Sequence, residues 1–189
     1  MGMVTEMHLP GGGGEPGTRF NYRGMHRYLI TLLPHPSRAT IADRETVIPT
    51  LDVLRDSCHA HGFDAYAYCF LPDRLVLLIR GKVEGADMKL FLAAFRAGSD
   101  SAFGQRTGKR LWSRKYQERV LRKTEVTRAI AEEIFRLPLK AGLASATDRY
   151  AFQGSFVLAG VPPPPAKVRP PGRHTGKTFR KTFRKTGRT

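Results

Sequence analysis

Two apolar runs separated by a two-residue turn constrain this chain more than any other feature. Residues 63–71 read FDAYAYCFL and residues 74–81 read RLVLLIRG, with Pro72 and Asp73 between them. Alternation, aromatic content and the Pro-Asp turn predict a β-hairpin, and so an antiparallel sheet. Side-chain alternation then puts Arg74, Val76 and Leu78 on one face of the second strand, and Leu75, Leu77 and Ile79 on the other. Tyr66 and Tyr68 are expected on one face of the first strand, as packing residues.

The flanking segments supply the rest of a fold. MHRYLITLL (25–33) is β-branched and aromatic and ends at Pro34, which predicts a strand. Over 46–61, Val47, Ile48, Leu51, Leu54 and Cys58 recur at helical spacing, with Thr46 as the expected N-cap and Pro49 in the first turn. Over 86–103, Met88, Phe91, Leu92, Phe95, Ala102 and Phe103 repeat the pattern. LWSRKYQERVLR (111–122) predicts a strand. Thr124 is the expected cap of a last helix with the stripe Val126, Ile130, Ile134 and Leu137, ending near Pro138 and Gly142. The order β-α-β-β-α-β-α predicts an α+β fold of ferredoxin-like type, an antiparallel sheet with helices packed mainly on one face. That architecture hosts many functions and decides none.

Composition divides the chain into three regions. Residues 1–18 are glycine-rich and predict a flexible leader. Gly11 to Gly14 do not make a phosphate loop, because no Lys-Ser/Thr follows and no strand precedes. Residues 19–160 form the expected folded domain. Residues 161–189 are proline-rich and then basic, with nine Lys/Arg and no acid from 162 onward. Two readings of that tail stand: a solubilising disordered extension, or an electrostatic arm on phosphates with Phe179 and Phe183 available to stack on bases. Its cations in the near-repeat KTFRKTFRKTGR include Lys177, Arg180, Lys181, Arg184 and Lys185.

The whole chain of 189 residues carries 32 Lys+Arg against 16 Asp+Glu, a net charge of +16. This excess points to a polyanion, above all nucleic acid. A hydrophobic fraction of 41% excludes wholesale disorder. No apolar run approaches the ~20 residues of a membrane helix, and residues 1–18 lack the apolar core of a signal peptide. Two cysteines, Cys58 and Cys69, make neither a disulfide framework nor a four-cysteine zinc site. The expected setting is the cytoplasm, in association with the nucleoid, with no membrane partner.

Charge is densest over 106–123, where Arg106, Lys109, Arg110, Arg114, Lys115, Arg119, Arg122 and Lys123 face a single acid, Glu118. Trp112 and Tyr116 lie among them. Cations in register with aromatic platforms suit single-stranded nucleic acid. Arg19, Arg23 and Arg27 form a second basic cluster. The alternative is an ordinary solvated basic face.

Four local words, in order, resemble the REP-associated tyrosine transposases, of the single-tyrosine HUH-type family. These are MHRYLITLL with its preceding arginines, YCFLPDRLVLLI, LWSRKYQERVLR, and IFRLPLKAGLA followed by DRYAFQGS. The resemblance spans about residues 22–157. It implies a compact domain that recognises single-stranded or hairpin DNA. Active members of the family hold a divalent metal such as Mg or Mn on two strand histidines, and a helix tyrosine attacks the phosphate. At the matching positions this chain has Arg74, Val76 and Glu133. Arginine has no lone pair for a cation, valine has no donor atom, and glutamate cannot form a phosphotyrosine. The expectation is therefore a transposase-like DNA-binding protein without strand cleavage, a pseudoenzyme. An enzyme with a non-standard site and an RNA-binding domain are the alternatives.

The other chemical candidates are weaker. His59-Ala60-His61, beside Cys58, spells a His-x-His string. At a helix end the two rings point ~200° apart and cap carbonyls; on a strand they would share a face and could hold a metal. Tyr116 is expected as a sheet or stacking aromatic, and Tyr150 lies past the last helix. Because the resemblance points the face of position 74 toward the last helix, Arg74 and Glu133 are expected to meet there as an ion pair; the competing reading is that both point to solvent and never meet.

Overall fold

The computed structural model describes residues 20–38, 40–145 and 149–159. Its elements are β1 (Arg27–Pro34), α1 (Arg44–His61), β2 (Phe63–Leu71), β3 (Arg74–Gly81), α2 (Met88–Thr107), β4 (Trp112–Val120), α3 (Thr127–Phe135), α4 (Leu137–Lys140) and β5 (Gln153–Gly154). The five strands form one sheet in the order β4-β1-β3-β2-β5, and every pairing is antiparallel. The first four strands, with their two crossover helices, make the ferredoxin-like arrangement that the sequence predicts.

The two faces of the sheet carry two cores. Tyr28, Ile30, Leu32, Leu75, Leu77 and Ile79 face α1 and α2, whose Leu51, Leu54, Phe91 and Phe95 close a large aromatic cluster. Leu29, Ala67, Cys69, Val76 and Leu78 face the other way and are covered by Ala131 and Ile134 of α3. Two helices thus lie on one face and α3 on the other. The face of position 76 does look toward α3.

Local chemistry moves several boundaries. α1 starts at Asp43, not Thr46: the Asp43 carboxylate accepts from the Thr46 N–H at 2.8 Å. An acidic cap ahead of Arg44 outcompetes the threonine, and Pro49 falls inside the helix rather than in its first turn. The helix stops at Gly62, where φ is +67°, a conformation that costs glycine no Cβ clash. Thr124 does not cap α3. That helix begins after Val126 with no side-chain cap, and Val126 is exposed.

Tyr66 and Tyr68 do not share a face. The register slips between Ala65 and Ala67, so β2 carries one extra residue against β3. This bulge turns Tyr66 toward the α3 side and leaves Tyr68 buried on the α1 and α2 side. The Ala65 carbonyl at the bulge accepts instead from the Phe156 N–H at 3.0 Å.

Candidate nucleic-acid interface

Strand β4 is an edge strand, and α2 holds it from one side through a polar stripe at seven- and four-residue spacing. Lys89 contacts Glu118 directly and reaches the Tyr116 hydroxyl at 3.2 Å. Arg96 donates to the Ser113 carbonyl at 2.5 Å and lies over the Tyr116 ring at 5.4 Å. One Asp100 carboxylate oxygen accepts from the backbone N–H groups of Leu111 (2.8 Å) and Trp112 (3.0 Å). These contacts satisfy backbone groups that an edge strand would otherwise leave to water. Sequence reading missed Lys89, Arg96 and Asp100. Their signal was a charged row beside the apolar stripe of α2.

The expected site residues fall into distinct environments. Arg110, Arg114 and Lys115 are exposed in and before β4, and Arg122 and Lys123 are exposed just after it. Among the described residues, none of these five side chains makes an ion pair or hydrogen bond. Arg23 is exposed and pairs with Asp87 at 3.1 Å. Arg119 is half-buried and donates to Glu125 at 2.6 Å. Burial works against ionised Glu125, but Arg119 and the Arg122 N–H outweigh it and lower its pKa. Tyr116 is half-buried against the Lys89 and Arg96 cations.

Two residues are placed differently from the expectation of a nucleic-acid contact. Trp112 lies in the core at 2% exposure. Its indole N–H donates to Ser99 Oγ at 2.7 Å, and its ring packs on Phe95, so no face is open to a base. Arg27 is turned inward. Its guanidinium donates to the carbonyls of Glu125 (2.5 Å) and Arg122 (2.6 Å) and to Thr127 Oγ1 (2.8 Å). It clamps the turn between β4 and α3. Arg19, Lys177, Arg180, Lys181, Arg184 and Lys185 lie outside the described residues.

The expected Arg74–Glu133 pair is not formed. Arg74 forks onto its neighbour Asp73, with Nε at 3.1 Å and Nη2 at 2.6 Å from the carboxylate oxygens, and this holds the Asp73 pKa down. Glu133 is exposed and binds Lys140 at 2.7 Å and Arg136 at 2.6 Å, which together lower its pKa. The reason is the stripe of α3. Its buried residues are Ala131 and Ile134, while Val126 lies outside the helix. Dropping Val126 rotates the stripe, leaving Glu133 on the order of 120° from its centre at 100° per residue.

These positions do not fit a divalent cation. Val76 is buried among aliphatic side chains, Arg74 is a cation itself, and Glu133 is engaged by two cations. Among the described residues no group of three or more His, Cys, Asp or Glu side chains could hold a metal. His61 lies edge-on to Phe91, and burial pushes the neighbouring Cys58 thiol up to about 12.

No protein-family model matches the chain, and no curated protein matches it. Among solved structures, the fold is similar to a REP-associated tyrosine transposase bound to a REP hairpin, with a TM-score of 0.56 and 16% identity over 67% of this chain and 74% of that one. A Deinococcus radiodurans protein described as a transposase aligns with a TM-score of 0.44 and 20% identity, over 68% of this chain and 98% of that one. A bacterial tRNA(His) guanylyltransferase-like protein in complex with GTP aligns with a TM-score of 0.43 and 10% identity, over 71% and 79%. The fold is therefore transposase-like. Among the described residues no helix is long and apolar enough to cross a membrane.

Proposed function

We propose that this chain is a transposase-like domain that binds single-stranded or hairpin DNA and does not cut it. One observation carries the binding: Arg110, Arg114, Lys115, Arg122 and Lys123 are exposed around one edge strand, and among the described residues none of their side chains forms an ion pair. The backbone that carries these cations is already ordered, so only side-chain freedom is lost when phosphates arrive, and each phosphate neutralised releases counterions. The REP hairpin bound to the similar transposase supports hairpin DNA as the ligand. The absence of cleavage rests on donor chemistry. Arg74, Val76 and Glu133 offer neither a two-nitrogen metal seat nor a nucleophile that could form a stable covalent phosphodiester. Binding to chromosomal DNA would place the protein at the nucleoid, and the basic tail adds cations without adding sequence readout.

The test uses the full chain with labelled hairpin DNA carrying a single-stranded extension, with matched RNA as competitor, and with Mg or Mn added. Saturable, salt-sensitive DNA binding with intact strands is the expected result. Metal-dependent nicking or a covalent protein–DNA adduct would overturn the non-cleaving assignment. Preferential displacement by RNA would reassign the ligand.

A further inference from the structure

Strand β4 has a neighbour on one side only, and hydrogen-bond alternation fixes which of its backbone groups face outward. The Leu121 N–H donates to the Arg27 carbonyl at 2.8 Å, which makes residues 27 and 121 a bonded pair. Bonded and non-bonded pairs alternate along an antiparallel ladder. The register is unbroken from Tyr28↔Val120 to Leu32↔Tyr116. Over that stretch the N–H and C=O groups of Gln117 and Arg119 therefore turn to β1, and those of Tyr116, Glu118 and Val120 turn away. The other side of β1 agrees: the Gly81 N–H donates to the His26 carbonyl at 3.0 Å, so Tyr28 bonds to β3 and not to β4. Among the described residues nothing meets the outward backbone groups of Tyr116, Glu118 and Val120. The bulge where residues 113–115 stand opposite Leu33, with the Ser113 carbonyl held by Arg96, ends this open edge on one side.

We infer that this edge accepts an acidic, extended peptide segment of another protein as an added strand, an interaction beyond the DNA binding proposed above. Backbone chemistry selects a peptide. The outward carbonyls need N–H donors in register, which a strand supplies and a phosphate backbone does not. Charge selects its composition. Arg114 and Lys115 precede the open stretch, and Arg122 and Lys123 follow it; all four are exposed, and among the described residues none forms an ion pair. Glu118, the one acid of the strand, is contacted by Lys89, so β4 keeps no free carboxylate to repel an acidic partner. Two copies of β4 side by side would instead set these cations against their like. Side-chain alternation sets the pattern. Tyr116 and Val120 pack toward α1 and α2, while Arg119 lies beside Leu29 on the α3 face. A segment that alternates carboxylates with apolar residues places its acids on the α3 face and its apolar side chains beside Tyr116 and Val120. Charge attraction speeds the encounter, and the ladder fixes the register.

The probe is a short synthetic peptide of alternating Glu and Val, fluorescently labelled and titrated into the full chain, with amide exchange of the complex read residue by residue. Saturable binding is expected, with exchange at Tyr116, Glu118 and Val120 slowed about ten-fold or more. Two isomers of the probe carry N-methyl groups, one on every Glu and the other on every Val. Both keep the charge, and each removes the donors from one edge of the added strand. One isomer should bind as the parent does and the other about ten-fold more weakly, since ladder donors are lost. No saturable binding, equal binding by both isomers, or binding without slowed exchange at the three amides would overturn the inference. Equal binding of a Lys-Val peptide would overturn it by removing the charge argument. Slowed exchange at the same amides in the protein alone, growing with its concentration, would assign the edge to a second copy and overturn it as well. No nucleic acid is present, so failure here leaves the DNA-binding assignment standing.

Discussion

Replacing Trp112 separates a core residue from a stacking platform, and the structure fixes which outcome is expected. The side chain is almost fully buried and packs on Phe95. Truncation to alanine should cost about 3–5 kcal/mol, the range for deleting a buried large aromatic. The hydrogen bond to Ser99 is a small part of this, about 1 kcal/mol, and Ser99 Oγ keeps its own donation to the Phe95 carbonyl at 2.6 Å. With a denaturant slope of about 2 kcal/mol/M in urea, the midpoint should fall by ~2 M. Trp112→Phe keeps an aromatic ring against Phe95 and should lose only about 1–2 kcal/mol. Trp112 is the single tryptophan, so unfolding must be followed by far-UV circular dichroism rather than by fluorescence. Folded Trp112→Phe should bind hairpin DNA within about two-fold of wild type, since a buried ring offers no base its face. An alanine variant with an unchanged midpoint and about ten-fold weaker binding would refute the reasoning, because that is the signature of an exposed stacking residue.

Arg27→Ala should destabilise the turn between β4 and α3 by about 2 kcal/mol, through three lost charge-assisted donations, seen as faster amide exchange over 121–127. Arg27→Lys should rescue little of it, because a lysine cannot fork onto two carbonyls and a hydroxyl. Alkaline pH should unfold the protein early. Burial raises Cys58 and Cys69 from about 9 to about 12, and Tyr28 from 10.0 to about 12. The native state thus holds protons that the unfolded chain releases, so stability is full below about pH 9 and falls as pH climbs toward 12; a denaturation midpoint flat across that window would contradict this burial. Removing residues 161–189 should weaken hairpin binding broadly and flatten its salt dependence by about 0.7 for each single-strand phosphate no longer neutralised, and an unchanged slope would show that the tail does not touch phosphates.

The bounds of the hairpin strands were legible to the residue, because alternation and a Pro-Asp turn mark where each begins and ends. The helices were legible as stripes and not as boundaries. Asp43 and Asp87 cap α1 and α2 through their carboxylates, and a cap is one residue in a background of many polar ones. The bulge at Tyr66 left no pattern, since an inserted residue reads locally as continued alternation. Arg27 and Trp112 could not be assigned from composition. A guanidinium and an indole are amphipathic, and only the long-range partners at Glu125 and Ser99 decide whether they face inward. Glu133 was misplaced by one exposed valine, because a nine-residue helix has too few buried positions to fix its own rotation.

The cations of β4 admit two physical roles, and sign separates them. An exposed edge strand invites pairing with another chain, and charge of either sign prevents it. Phosphate binding needs positive charge alone. Arg114→Glu with Lys115→Glu keeps two charges on the exposed edge, and neither residue has an acidic partner to lose among the described residues. The fold should therefore hold within about 0.5 kcal/mol, the usual range for surface substitutions, and the protein should stay as dispersed as wild type by light scattering. Hairpin affinity should fall by more than the neutral Arg114→Ala, Lys115→Ala pair causes, because repulsion is added to lost attraction. If the acidic pair binds DNA as wild type does, the charges on β4 serve only to guard the edge, and the nucleic-acid surface must be sought around Arg122, Lys123 and the basic tail.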